Sequence, residues 1–145
     1  MFWNASSFNQ DIGGWNTSKV TDFSRMFSNA SSFNQPIGDW DTADAVTMLA
    51  MFANAADFNQ NIGDWDTSGV ETMYSMFDAA SSFNQDIGSW NTSKVMAMEL
   101  MFLEAQEFDQ DLSGWCVQHI PEAPKRFSEA SGLHADRHPV WGTCP

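Results

Sequence analysis

Met76-Phe-Asp-Ala-Ala-Ser-Ser-Phe-Asn-Gln-Asp-Ile-Gly-Ser-Trp-Asn-Thr-Ser-Lys-Val-Met-Ala-Met-Glu-Leu100 is one turn of a pattern that fills almost the whole chain. Laid out every 25 residues, the sequence keeps one register. Met-Phe recurs at Met1-Phe2, Met26-Phe27, Met51-Phe52, Met76-Phe77 and Met101-Phe102. Phe8, Phe33, Phe58, Phe83 and Phe108 form a second column, and Trp15, Trp40, Trp65, Trp90 and Trp115 a third. Ile12, Ile37, Ile62, Ile87 and Leu112 align, as do Gln10, Gln35, Gln60, Gln85 and Gln110. A short fixed period of this kind predicts stacked coils, each burying its apolar face only against its neighbours.

Composition agrees with a folded chain. Hydrophobic residues make up 43% and aromatic residues 14%, which offsets a formal charge of −13. Nineteen acidic against six basic residues predict repulsion from nucleic acid and anionic membrane surfaces. No apolar run is long enough to span a membrane and no signal peptide is evident, so direct membrane insertion is not expected. Met1-Phe2 occupies the slot of Met26-Phe27, so the chain is read as opening in mid-repeat, a fragment of a longer protein. An uncovered first coil predicts either a lost upstream coil or end-to-end self-association.

Within each unit, Phe8-Asn-Gln-Asp-Ile-Gly-Gly-Trp15 reads as a short strand, with Phe8, Gln10 and Ile12 inward and Asn9 and Asp11 outward. The following Asn16-Thr-Ser segment reads as an N-cap, and Val20, Phe23, Met26, Phe27 and Ala30 as the apolar stripe of a helix of about three turns. Ser68 and Glu71 have capping-box spacing. The fold class predicted is α/β: coils of 25 residues, one short parallel strand plus one helix each, over residues 1–115, about five coils with the first truncated. From Cys116 the pattern fails, and residues 116–145 are expected to form a C-terminal cap.

The motif Trp-Asn/Asp-Thr-Ser-x-Val-x-x-Met-x-x-Met-Phe-x-x-Ala-x-x-Phe-Asn-Gln-x-Ile resembles the BspA-like leucine-rich-repeat family, including short repeats of bacterial surface proteins and mycoplasma-type lipoproteins. Trp65-Asp-Thr-Ser-Gly-Val-Glu-Thr-Met-Tyr-Ser-Met-Phe77 is one instance. The resemblance implies a right-handed leucine-rich-repeat-like solenoid, a secreted or cell-surface location, a role in adhesion or protein interaction, and no catalytic residues. It also implies a Cys116–Cys144 disulfide, which would stabilise the cap by roughly 3 kcal/mol. The alternative is a tetrahedral zinc set in which His134 and His138 join the two cysteines. His119 has no evident role.

The expected function is a noncatalytic scaffold that binds a protein or glycan and carries no cofactor. Its expected binding surface is the strand side: Asn9, Asn34, Asn59, Asn84 and Asp109, with Asp11, Asn61, Asp86 and Asp111 beside them and Pro36 as the variant. The structural reading of the Asn column, a ladder bonding adjacent coils, is favoured over recognition. The alternative function is a Ca²⁺-dependent adhesion module using Asp39, Asp41, Asp64 and Asp66. Against it, Asp41 and Asp66 sit where helix N-termini favour carboxylates without metal. Tryptophans stacking on sugars and an ice-binding Thr17/Thr42/Thr67/Thr92 column are weaker readings than core and cap roles. No phosphate loop or nucleophile elbow is present, and an enzyme is not expected.

Overall fold

The sequence columns become physical stacks. In the computed structural model, which describes residues 1–145, Phe27, Phe52, Phe77 and Phe102 lie face to face with successive ring centroids 5.6 Å apart. Phe33, Phe58, Phe83 and Phe108 form a parallel stack at 5.9, 5.9 and 5.7 Å. The two stacks meet inside each coil, where Phe52 lies 4.0 Å from Phe58 and Phe77 4.1 Å from Phe83. Trp40 stacks on Trp65 and Trp90 on Trp115. These aromatics belong to one core of 36 buried residues that runs from Ile12 into the cap at Leu133. Large rings dominate core energetics because each removes so much apolar area from water.

The expected α/β architecture, a right-handed leucine-rich-repeat-like solenoid with a strand and a helix per coil, is overturned. The one helix is a 3-10 turn at Ala135–Arg137 in the cap, and extended pairing is confined to isolated parallel bridges Asp22–Thr47, Thr47–Thr72 and Thr72–Ala97. Residues 20–30 and their equivalents run as successive tight turns. The amides of Met26, Ser28 and Ala30 donate three residues back, to Phe23, Arg25 and Phe27. The amides between them leave the coil: Phe23 donates to Thr47, Arg25 to Leu49, Phe27 to Met51 and Asn29 to Ala53. Corner residues Arg25 and Asn29, Ala50 and Asn54, and Ser75 and Ala79 adopt φ between 51° and 61°, which ends any α-helical run. A chain of three-residue turns shares the i, i+3 spacing of a helix, so the apolar stripe fits both. Satisfaction of every second amide by the next coil decides between them.

The predicted strand is replaced by a side-chain ladder. No backbone bond joins Asn34 to Asn9; instead the Asn34 amide donates to Asn9 Oδ1 at 2.9 Å. The same bond recurs from Asn59 to Asn34 and from Asn84 to Asn59, each at 3.0 Å. The glutamines are therefore not the inward residues expected. Gln60 Nε2 donates to Asn34 Oδ1 at 2.8 Å and Gln85 Nε2 to Asn59 Oδ1 at 2.9 Å. Tryptophan fastens the inner side: Trp65 Nε1 donates to the Ile37 carbonyl and Trp90 Nε1 to Ile62, both at 3.1 Å. Each Thr column hydroxyl bonds the coil ahead, as Thr42 does to the Asp66 carbonyl at 3.0 Å.

The cap ends the stacks by turning rings edge-on. Phe127 meets Phe102 at 87°, and Trp141 and His138 meet Phe127 at 84° and 80°. Cys116 and Cys144 are joined by a disulfide, 28 residues apart in sequence. The inter-coil offset also changes there. Ser75 donates to Glu99, 24 positions on, but Leu100 donates to Lys125, 25 positions on. The bond that Phe23, Met48 and Met73 make to the next coil has no counterpart at Met98. One extra residue, with Pro121 and Pro124, thus loosens the join between the last repeat and the cap.

Candidate functional site

The Asn column of the expected binding surface is committed to the fold. Oδ1 of Asn9, Asn34, Asn59 and Asn84 each accepts a backbone amide and a glutamine from the next coil, and Asp109 Oδ1 accepts the His134 amide. Asp109 also pairs with Arg137 at 2.8 Å. Asp11, Asn61, Asp86 and Asp111 stand together beside this ladder, each turning Oδ1 onto the amide two residues on. Pro36 takes that position in the second coil.

The four acidic residues proposed for calcium divide into two that close turns and two that do not. Asp41 and Asp66 close Asx turns onto the Ala43 and Ser68 amides, at 3.1 and 2.9 Å. They cap turns rather than helices, so their expected helix N-cap role falls with the helices. Asp39 and Asp64 project into solvent. The Ser68 hydroxyl, then its backbone N–H, holds the Asp66 carboxyl below its ordinary value; Ser113 does the same for Asp111. No three His, Cys, Asp or Glu side chains converge.

In the cap the disulfide takes up both sulfurs, so the zinc alternative loses half its ligands. His138 Nε2 lies 3.0 Å from Ser128 Oγ, and burial lowers the imidazole pKa. That distance suits a base and its nucleophile, but the ring packs edge-on against Phe127, no carboxylate holds its other nitrogen, and no cleft opens over the pair. The contact joins Ser128 to the C-terminal tail of the cap.

A different face, on the turn side, varies in sequence from coil to coil and carries exposed apolar residues. Position by position, the stretch around Phe23 varies from coil to coil while the ladder does not. Thr21, Val46, Glu71 and Met96 share one column, and Ser24, Leu49, Tyr74 and Glu99 share another. Val46, Tyr74 and Met96 are exposed, Met96 to 60%. Beside them, where the last repeat meets the cap, a cleft of about 580 Å³ is lined by Tyr74, Ala97, Glu99, Leu100, Lys125 and Arg126. Its origin is the shifted offset at Lys125. Glu99 Oε2 is covered and accepts no hydrogen bond, while Arg126 is held by Glu129 at 2.8 Å. Nearby Asp78 has its pKa raised, first by burial and then by Glu104. Comparing residue types down each column, rather than periodicity alone, is the signal that finds this face. A second cleft, about 390 Å³, lies around Met1, Trp15, Val20 and Met26. No helix is long and apolar enough to cross a membrane.

A family model described as "Mycoplasma protein of unknown function, DUF285" matches residues 1–62 and again residues 37–141. The match meets the expected resemblance at the level of a mycoplasma-type repeat family, not of BspA-like leucine-rich repeats in particular. No curated protein matches, and no solved structure matches.

Proposed function

The chain belongs to the DUF285 family of Mycoplasma-type proteins of unknown function, and we propose that it is a noncatalytic binding scaffold displayed outside the cell, with its binding face on the turn side of the coils. One observation carries the reading. Between Trp15 and Val140 the exposed large hydrophobic residues are Val46, Tyr74 and Met96, all in the two variable columns of this face, and Tyr74 also lines the larger cleft. Exposed apolar side chains gathered on one face, rather than scattered singly, are the usual mark of a binding surface. Copied coils supply a rigid frame, and variable columns set specificity without disturbing the stacks. The Asn side is the less suitable face, because its amide oxygens already hold adjacent coils together. The Cys116–Cys144 bridge and the BspA-like motif support an oxidising, extracellular or surface location.

The test screens the chain on protein and glycan arrays beside two variants. One carries Val46→Ser, Tyr74→Ser and Met96→Ser; the other carries Asp11→Asn, Asp86→Asn and Asp111→Asn. Ligands lost by the first and kept by the second are expected. The opposite pattern would return the binding surface to the ladder side.

A further inference from the structure

Glu99 is the residue the fold leaves unfinished. One carboxylate oxygen is covered and has no donor, and it is the one buried side-chain oxygen or nitrogen left without a partner. A covered, unpaired carboxylate oxygen is unfavourable unless something completes it. Its side chain lines the cleft with Tyr74, Ala97 and Leu100. The terminal torsion of glutamate is soft, so the carboxylate can turn to meet a donor entering the cleft.

We propose that this cleft seats an arginine side chain of a protein partner, within a segment whose apolar residues lie along Val46, Leu49, Tyr74 and Met96; the proposal rests on the turn side being the binding face. A guanidinium offers two parallel donors to one carboxylate, which a lysine does not, and it stacks on an aromatic ring such as Tyr74. The charge of the surroundings agrees. Glu71 shares the face, Asp78 and Glu104 crowd each other close by, and the whole chain carries −13. The opposing cations are Lys125 and Arg126. Arg126 is already occupied by Glu129, so Lys125 is the one free cation against an incoming arginine.

Two labelled peptides test the seat by fluorescence anisotropy: acetyl-Leu-Val-Arg-Val-Leu-amide and its citrulline counterpart, which has the same shape without the charge. The arginine peptide is expected to bind about tenfold more tightly, a usual scale for a charge-assisted pair. Glu99→Gln should close that gap and Lys125→Glu should widen it. The Asp11→Asn, Asp86→Asn, Asp111→Asn variant removes three charges elsewhere and should change nothing. Equal affinities for the two peptides, both lost on Tyr74→Ala with Met96→Ser, would overturn the arginine seat and keep the face. Binding that ignores the Tyr74 and Met96 changes would overturn the face itself. Tighter binding of a glutamate peptide, weakened by Lys125→Glu, would mean that the cleft takes anions and would overturn the proposal.

Discussion

Replacing Asn59 by alanine isolates the side-chain ladder. Asn59 Oδ1 accepts the Asn84 amide at 3.0 Å and Gln85 Nε2 at 2.9 Å. The glutamine keeps a second acceptor, the Asn59 carbonyl at 3.2 Å, so its loss is partial. The Asn84 amide loses its partner outright, though water reaches this exposed side. A neutral hydrogen bond contributes about 0.5–1.5 kcal/mol net, so Asn59→Ala should cost about 1–2 kcal/mol. The melting temperature should fall by roughly 3–6 °C. Asn59→Asp keeps the accepting oxygen. Asp109 already fills the equivalent slot, so the aspartate should cost under about 0.5 kcal/mol. Urea unfolding of the three proteins measures both values. An alanine cost below about 0.5 kcal/mol, or an aspartate as damaging as alanine, would refute the idea that Oδ1 stands in for a strand's backbone bonds.

Three further outcomes follow from the same geometry. Trp65 is 4% exposed and donates to Ile37, so Trp65→Ala should cost about 3–5 kcal/mol by urea unfolding, whereas Trp65→Phe, which keeps a ring, should cost about 1–2. A Cβ on Gly63 would lie 2.7 Å from the Asp86 carbonyl oxygen and one on Gly14 would meet nothing within 4 Å, so Gly63→Ala should destabilise by about 1–3 kcal/mol and Gly14→Ala hardly at all in thermal melts. Because Ser68 depresses the Asp66 pKa in the fold, the stability it contributes is present above the unfolded value of 3.8 and is lost as pH falls through the folded value. Asp66→Asn, matching Asn16 and Asn91 in the other coils, should melt like the native chain at neutral pH and decline less on acidification.

The period alone made the core legible. Phe27, Phe33 and their equivalents had to stack once the register was fixed, and the aromatic columns do. The local conformation was not legible from the period. Val20, Phe23 and Met26, and then Phe27 and Ala30, follow one another at steps of three, which a helix and a run of three-residue turns share. What separates them is where the amides of Phe23, Arg25 and Phe27 go, and that depends on a coil 25 residues away. The Phe8-to-Trp15 stretch misled for a related reason, since Asn9 lends a side-chain oxygen where a strand would use a carbonyl. The turn-side face was visible in the columns of Thr21 and Ser24, whose residue types change in every coil. The cleft was not, because it arises from one extra residue before Lys125.

The fold rests on adjacent coils exchanging backbone hydrogen bonds where the sequence suggests helices. Scalar couplings measured by NMR across individual hydrogen bonds report the partners directly. The amide nitrogen of Phe52 should couple to the carbonyl carbon of Met76, its acceptor at 2.9 Å in the next coil, and that of Phe77 to Met101. Coupling of Phe52 to Met48, four residues back in its own coil, would restore the helix and contradict this account.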